Sequence, residues 1–201
     1  MSMLLTPDQE DAIKELFNIG AGHAAGALSE LTNSHIELTV PSIRVVKLAD
    51  LESGTEILGK GVYSSVRMHF TGFMNGSAAL VFPPDSALKL IATVTEDTSV
   101  TPDMDSLKAG VLTEIGNIII TQVLSVISNT FQKRLEYSVP SYFEGRLVNL
   151  IETSDPSAEL VILIIDTKFT IKDLQIAGDV VLFFELGELD SFVELVEGCL
   201  G

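Results

Sequence analysis

Glu15-Leu16-Phe17-Asn18 returns as Glu114-Ile115-Gly116-Asn117, and Val40-Pro41-Ser42 returns as Val139-Pro140-Ser141. One slide of about 99 residues brings both pairs into step, and it also sets Ser29 on Ser128 and Glu37 on Glu136. Residues this unlike one another rarely stay in register by chance. Toward the end of each half the best slide grows to about 102, where Gly76, Leu80 and Phe82 meet Gly178, Leu182 and Phe184. The chain reads as an internal duplication, with repeats over about 1–98 and about 99–201.

Working outward from the first copy, Thr6-Pro7-Asp8-Gln9 reads as a helix start, with Thr6 as cap, Pro7 tolerated in the first turn and Gln9 able to reach back. The helix is predicted to run to about Leu31, with Ile13, Phe17, Ala24, Leu28 and Leu31 at helical spacing toward a core. The small residues of Gly22-His23-Ala24-Ala25-Gly26 are expected to admit a neighbouring element close to the backbone. Strict alternation over 36–40 predicts a half-buried strand ended by Pro41. Strands follow over 62–70 and 77–82, joined by a turn at Asn75-Gly76, and then a short helix over 85–92.

The second half repeats this order: a helix over 105–129, strands over 135–139, 159–170 and 179–184, and a closing helix over 189–196. A linker rich in Thr, Asp and Pro is expected over 96–103. The predicted fold class is α+β, an α-β-β-β-α unit used twice with pseudo-two-fold symmetry. Three strands per half are too few to stand alone, so both halves are expected to share one core in a single duplicated domain.

A chain of 201 residues with 46% hydrophobic composition can bury such a core. Twenty-eight acidic residues against twelve basic ones leave a formal charge of -16, which repels nucleic acid and anionic membranes and removes polynucleotide binding first. The lone Cys199 can form neither an internal disulfide nor a thiolate zinc cluster. Residues 1–8 lack the basic start and apolar run of a signal peptide, and no apolar stretch reads as long enough to insert in a bilayer. A soluble, cytoplasmic protein is the expectation.

Chemistry has to come from polar residues that the fold does not itself demand. At roughly 100° per residue, Asp11, Glu15 and Asn18 share an arc of about 60° opposite the Ile13/Phe17/Leu28 face. An amphipathic helix shows polar residues to water anyway, so this stripe alone is weak. The second helix is apolar around most of its circumference, with Val111, Leu112, Ile115, Ile118, Ile119, Ile120, Val123 and Leu124, yet it keeps Glu114 and Asn117. Asn costs up to about 0.7 kcal/mol in a helix relative to Ala, so a mid-helix Asn in both copies reads as functional rather than structural. Gly110 stands where the first copy has Asp11.

Asp11, Glu15, Asn18 and Pro41 form a spaced pattern: an acid or Ser, three residues, Glu, two residues, Asn, twenty-two residues, Pro. This pattern resembles the signature of the CheC/CheX/FliY phosphatases of bacterial and archaeal chemotaxis. Glu114, Asn117 and Pro140 match it again except at Gly110. The length, the duplication and the two motifs look like CheC across the whole chain; a switch-complex FliY with its additional domain would be longer.

The resemblance implies hydrolysis of the aspartyl phosphate on the response regulator CheY. Asn18 and Asn117 would aim the attacking water, while Glu15 and Glu114 would pair with the regulator's lysine beside the phosphate. Asp11 would contact the partner or steady the docked helix, and Pro41 and Pro140 would be structural. No cofactor of its own is implied, since the Mg²⁺ would sit in the regulator. The resemblance also implies association with the receptor deamidase CheD. Its rival is therefore a binding module or adaptor that sequesters CheD or a regulator with little catalysis.

Other chemistries fit poorly. His23, His35 and His69 lack metal-ligand spacing, and Gly20-Ala21-Gly22 lies inside a helix without the strand or Lys-Ser of a nucleotide loop. Asp103 and Asp105 read as linker and helix-cap acids, so no metal site is expected.

Overall fold

The computed structural model describes residues 5–53, 60–95, 104–150, 160–171 and 174–200. The expected linker over 96–103 lies outside the described residues. The first helix, α1 (Pro7–Thr32), starts where the sequence places it: Thr6 Oγ1 accepts from the Gln9 N–H, and Gln9 Oε1 accepts from the Thr6 N–H at 2.7 Å. Asn33 ends it in the left-handed conformation, φ 49°.

Two expectations about α1 need correction. Leu31 lies at the same angle as Ile13 but in the last turn, past the packed layer, and is 56% exposed. Gly22 and Gly26 are exposed, and neither has a neighbour within 4 Å of where a Cβ would stand. The close approach comes at Gly20, where an added Cβ would lie 2.9 Å from the Val123 Cα of the second long helix, α4 (Met104–Thr130). Ala21, Ala24 and Ala25, the small residues beside Gly20, are buried.

Between these helices lie β1 (Ile36–Lys47), the short α2 (Leu48–Glu52), β2 (Tyr63–Gly72), β3 (Gly76–Phe82) and α3 (Pro84–Thr95). After α4 come β4 (Leu135–Tyr137), β5 (Ser141–Gly145), a 3-10 turn at Leu147–Leu150, β6 (Leu160–Ile171), β7 (Leu174–Glu185) and α5 (Leu186–Leu200). The strands form one seven-stranded antiparallel sheet in the order β1-β6-β7-β3-β2-β4, with β5 also paired to β2. Each half thus lends its first strand to the other half's hairpin.

The sheet separates two apolar layers. Val66, Met68, Phe70, Leu80, Phe82, Leu163, Ile165, Val180 and Leu182 pack under the long helices in the main core. Alternate residues Ala79, Val81, Ile162, Ile164, Val181 and Phe183 join Tyr63, Leu147 and Leu150 in a smaller cluster on the opposite face. Burial on both faces explains why β6 reads as a continuous apolar run instead of an alternation.

Pro41 does not end its strand. β1 passes through it with a register shift between Thr39 and Ser42, so that Leu38 faces Phe169 and Ser42 faces Asp166 with one extra residue on the β1 side. Proline is tolerated because β1 is an edge strand and needs no N–H there. The extra residue also re-phases the strand: Ile36, Leu38 and Val40 point into the core before it, and Ile43 after it.

The predicted strand over 135–139 stops at Tyr137, and a strand absent from the sequence reading, β5, resumes at Ser141. Together β4 and β5 follow β2 as β1 follows β6. Tyr137 faces Phe70 and Ser141 faces Arg67, the same positions that Leu38/Phe169 and Ser42/Asp166 hold about 99 residues away. The hairpins obey a slightly different slide. Val66 faces Leu80 and Ile165 faces Val180, so by ladder position Leu80 corresponds to Val180 and not to Leu182. β7 also begins earlier than the predicted strand over 179–184.

Residues Ser106–Thr130 of α4 are long and apolar enough to cross a membrane by length and composition, contrary to the sequence expectation. In the fold that apolar surface has another use. Leu112, Ile115, Ile119, Ile120, Val123, Leu124 and Ile127 are buried in the main core.

Candidate functional site

The two Glu-x-x-Asn segments lie on α1 and α4, the helices that touch through Gly20 and Val123. Each segment is rooted by buried neighbours: Ile13, Leu16 and Phe17 around the first, Leu112, Ile115 and Gly116 around the second. At Gly116 an added Cβ would lie 2.6 Å from the Val66 Cβ, so α4 sits tightly on β2. Rotation by about 100° per residue then turns Glu15 and Glu114 to the surface, and both are exposed. Asp11 is exposed as well. Among the described residues, Asp11, Glu15 and Glu114 have no hydrogen-bond or ion-pair partner on this chain, which leaves all three carboxylates available to an outside cation.

The asparagines differ. Both are half-buried. Asn18 Oδ1 accepts from the Val40 N–H at 2.9 Å, and its Nδ2 lies 3.5 Å from the Val40 carbonyl oxygen. Its carboxamide therefore meets the N–H and C=O of one edge-strand residue as the next strand would, just before Pro41. This corrects the reading of Asn18 as a residue without structural benefit: it satisfies a main-chain N–H that β6 does not reach.

The Asn117 side-chain amide makes no hydrogen bond among the described residues; within the helix its main-chain carbonyl also accepts from Thr121 Oγ1 at 2.6 Å. Val139, twenty-two residues on, is 85% exposed, whereas Val40 is 4% exposed and part of the core. The segment around Val139 is tied instead to β2, with Ser138 N donating to the His69 carbonyl and Ser138 Oγ accepting from the His69 N–H, both at 2.9 Å.

A different fastening holds the second copy. Lys108, near the start of α4, has only 10% of its side chain exposed and reaches Glu144 on β5 at 2.7 Å. Burial pushes its ammonium down, but the hydrogen bond to Glu144 and the neighbouring Tyr142 outweigh it and leave Lys108 above the ordinary lysine range. The corresponding residues of the first copy, Gln9 and Val45, instead line an open cleft of about 340 Å³ beside α5. There Gln9 Nε2 donates to Glu197 at 2.7 Å.

The sequence reading missed the Val40 main chain and the Lys108–Glu144 pair. The spacing of twenty-two residues from each Asn to the Val before each Pro was the available signal for the first. No group of three His, Cys, Asp or Glu among the described residues stands close enough to hold a metal ion.

Residues 9–44, the span from the capping box to just past the bulge, match the CheC-like family. The CheY-P phosphatase CheC of Bacillus subtilis is 27% identical over 143 residues, 66% of this chain. Across these matches the chain is similar to the CheC/CheX/FliY family. Its match spans 65% of the length of that CheC, and a match to the flagellar motor switch phosphatase FliY of the same bacterium, 25% identical and covering 68% of this chain, spans 35% of that protein. The crystal structure of Thermotoga maritima FliY has the same fold, with a TM-score of 0.75 at 21% identity over 98% of this chain and 100% of that one.

Proposed function

We propose that this chain is a cytoplasmic protein phosphatase that hydrolyses the aspartyl phosphate of a CheY-like response regulator. The observation that carries the reading is the second site: an exposed Glu114 one helical turn before an Asn117 whose amide has no partner among the described residues. The name of the Bacillus subtilis relative, a CheY-P phosphatase, supports the same substrate.

An aspartyl phosphate is an acyl phosphate, so the enzyme has little to add beyond position. The Asn117 carboxamide oxygen accepts a hydrogen bond from one water and aims it in line at phosphorus. The water oxygen bonds to phosphorus, the bond from phosphorus to the aspartyl oxygen breaks, the regulator's carboxylate is restored and the water's proton passes to solvent. Any Mg²⁺ in this step belongs to the regulator. Glu114 pairs with a cation between itself and the phosphate, because a carboxylate beside a bare phosphate is repelled. Glu15 and Asn18 form the second copy of this machinery, with Asp11 as an added docking contact.

We also propose that the chain arose by duplication and keeps a pseudo-two-fold axis between β3 and β7. The sheet order supports this, because it reads as the same sequence of roles from either edge, as does the register shared by the β1–β6 and β2–β4/β5 ladders.

The test is phosphate release from phosphorylated regulator with Asn18→Ala, Asn117→Ala and the double variant. Return of the double variant to the rate of the regulator alone supports catalysis; a double variant as fast as wild type removes it. The engaged Asn18 amide favours one alternative, that the first face serves mainly to bind, whether the regulator or a CheD-like deamidase. In that case Asn18→Ala alone would weaken association without slowing turnover at saturation.

A further inference from the structure

The two asparagines share a motif position but not a hydrogen-bonding state. Asn18 meets both main-chain polar groups of residue Val40, and the strand it meets is pinned from behind. Val40 is buried in the main core, Pro41 fixes the next φ, and Ser42 and Arg44 both bond to Asp166 across the ladder, the latter at 3.2 Å. The Val40 N–H is thus presented in one direction. The equivalent peptide at Val139 is exposed and leaves Asn117 alone.

We propose that the Val40 main chain is a positioning group of the first site, which holds the Asn18 carboxamide against the strand edge and withdraws it from a docking partner until the pair opens. The inference rests on the phosphatase reading of the Glu/Asn pairs, and it makes the two sites different in kind: the second is ready, the first latched. Opening exposes one main-chain N–H and one carbonyl, so the binding energy of the partner has to supply that cost at the first site only. Pro41 then has a role beyond ending an element, because it keeps the latch peptide rigid.

The experiment is residue-resolved amide exchange by nuclear magnetic resonance on the full chain, with Val40 as reporter. In wild type, Val40 is expected to exchange at least about tenfold more slowly than in Asn18→Ala, while Ile43 changes little. Asn117→Ala is expected to leave Val139 exchange unchanged. Adding a CheY carrying a stable phosphoryl mimic to Asn117→Ala, where only the first site remains, is expected to speed Val40 exchange toward the Asn18→Ala value.

Val40 exchange indifferent to Asn18→Ala overturns the latch. So does Val40 protection that persists in Asn117→Ala while the regulator carrying the mimic is bound. If the regulator is neither bound nor dephosphorylated by any variant, the phosphatase reading fails, and the free-protein exchange still decides whether the Asn18–Val40 latch exists.

Discussion

The turn after α1 and the turn after α4 lead into edge strands with the same bulge, yet one is closed and the other open. In the first, Val40 is a core residue and its peptide is held by Asn18 at 2.9 Å. In the second, Val139 is 85% exposed, Asn117 is unengaged among the described residues, and the helix is fastened elsewhere by Lys108 and Glu144. Under the proposed function, one spaced motif combines two jobs, chemistry and anchoring, and the copies divide them differently. Moving the anchor to an ion pair frees the amide. The copy that lacks an acid, with Gly110 in place of Asp11, is the one whose amide has no partner among the described residues.

That contrast can be broken most severely by activity. Asn117→Ala is expected to remove most of the acceleration of regulator dephosphorylation and the double variant all of it, a loss on the order of a hundredfold, while Asn18→Ala leaves the larger part. Equal losses from the two single changes in a kinetic assay would erase the division. Stability should show the opposite order. Asn18→Ala leaves the Val40 N–H without its partner and is expected to cost about 1–3 kcal/mol in urea unfolding, whereas Asn117→Ala should cost well under half of that.

The second copy's fastening is open to the same measurement. Glu144→Ala strands the Lys108 ammonium and is expected to cost about 2 kcal/mol at neutral pH. Because the folded pKa of Lys108 is raised, its contribution is complete below the ordinary lysine pKa of 10.5 and fades as pH climbs through the higher folded value. The gap between wild type and Glu144→Ala should therefore narrow only in strong alkali; narrowing near neutrality would contradict the pairing.

Charge reversal comes next. Glu114→Lys should raise the regulator concentration for half-maximal rate more than Glu15→Lys does, and titration of the rate against regulator measures both. The smallest effect belongs to Gly110, where a Cβ meets nothing within 4 Å on an exposed helix surface. Gly110→Ala should stabilise by about 0.5–1 kcal/mol without touching turnover, and Gly110→Asp should tighten regulator binding slightly.

Much of this architecture is legible in the sequence. The capping box at Thr6 and Gln9, the apolar face of α1 and the hairpin around Asn75 follow from local spacing alone. Pro41 and Pro140 misled because proline usually ends a strand; only the position of β1 and β4/β5 at sheet edges makes the bulge allowable. β5 was hidden for that reason, and because its exposed and half-buried residues show little apolar alternation.

The carboxylates could be placed at the surface by angle, as could the second helix's apolar girth. What spacing could not say is that Asn18 reaches a strand and Asn117 does not, since both are followed at the same distance by Val-Pro-Ser. The Lys108–Glu144 pair was equally silent, joining two segments whose packing depends on the whole sheet.

The exchange of first strands between the halves has a consequence in time. β1 is finished when roughly a quarter of the chain has been synthesised, but its ladder partners run from Val161 to Ile171 in β6. Until those residues emerge, β1 has no strand to pair with, and its pairing edge is open to any other nascent chain. During that interval the Asn18 amide can hold Val40 locally, since the two lie only a helix and a turn apart. The anchor of the first copy would then act earliest as a guard on an orphan strand, a duty that the second copy, made beside a finished β2, never has to perform.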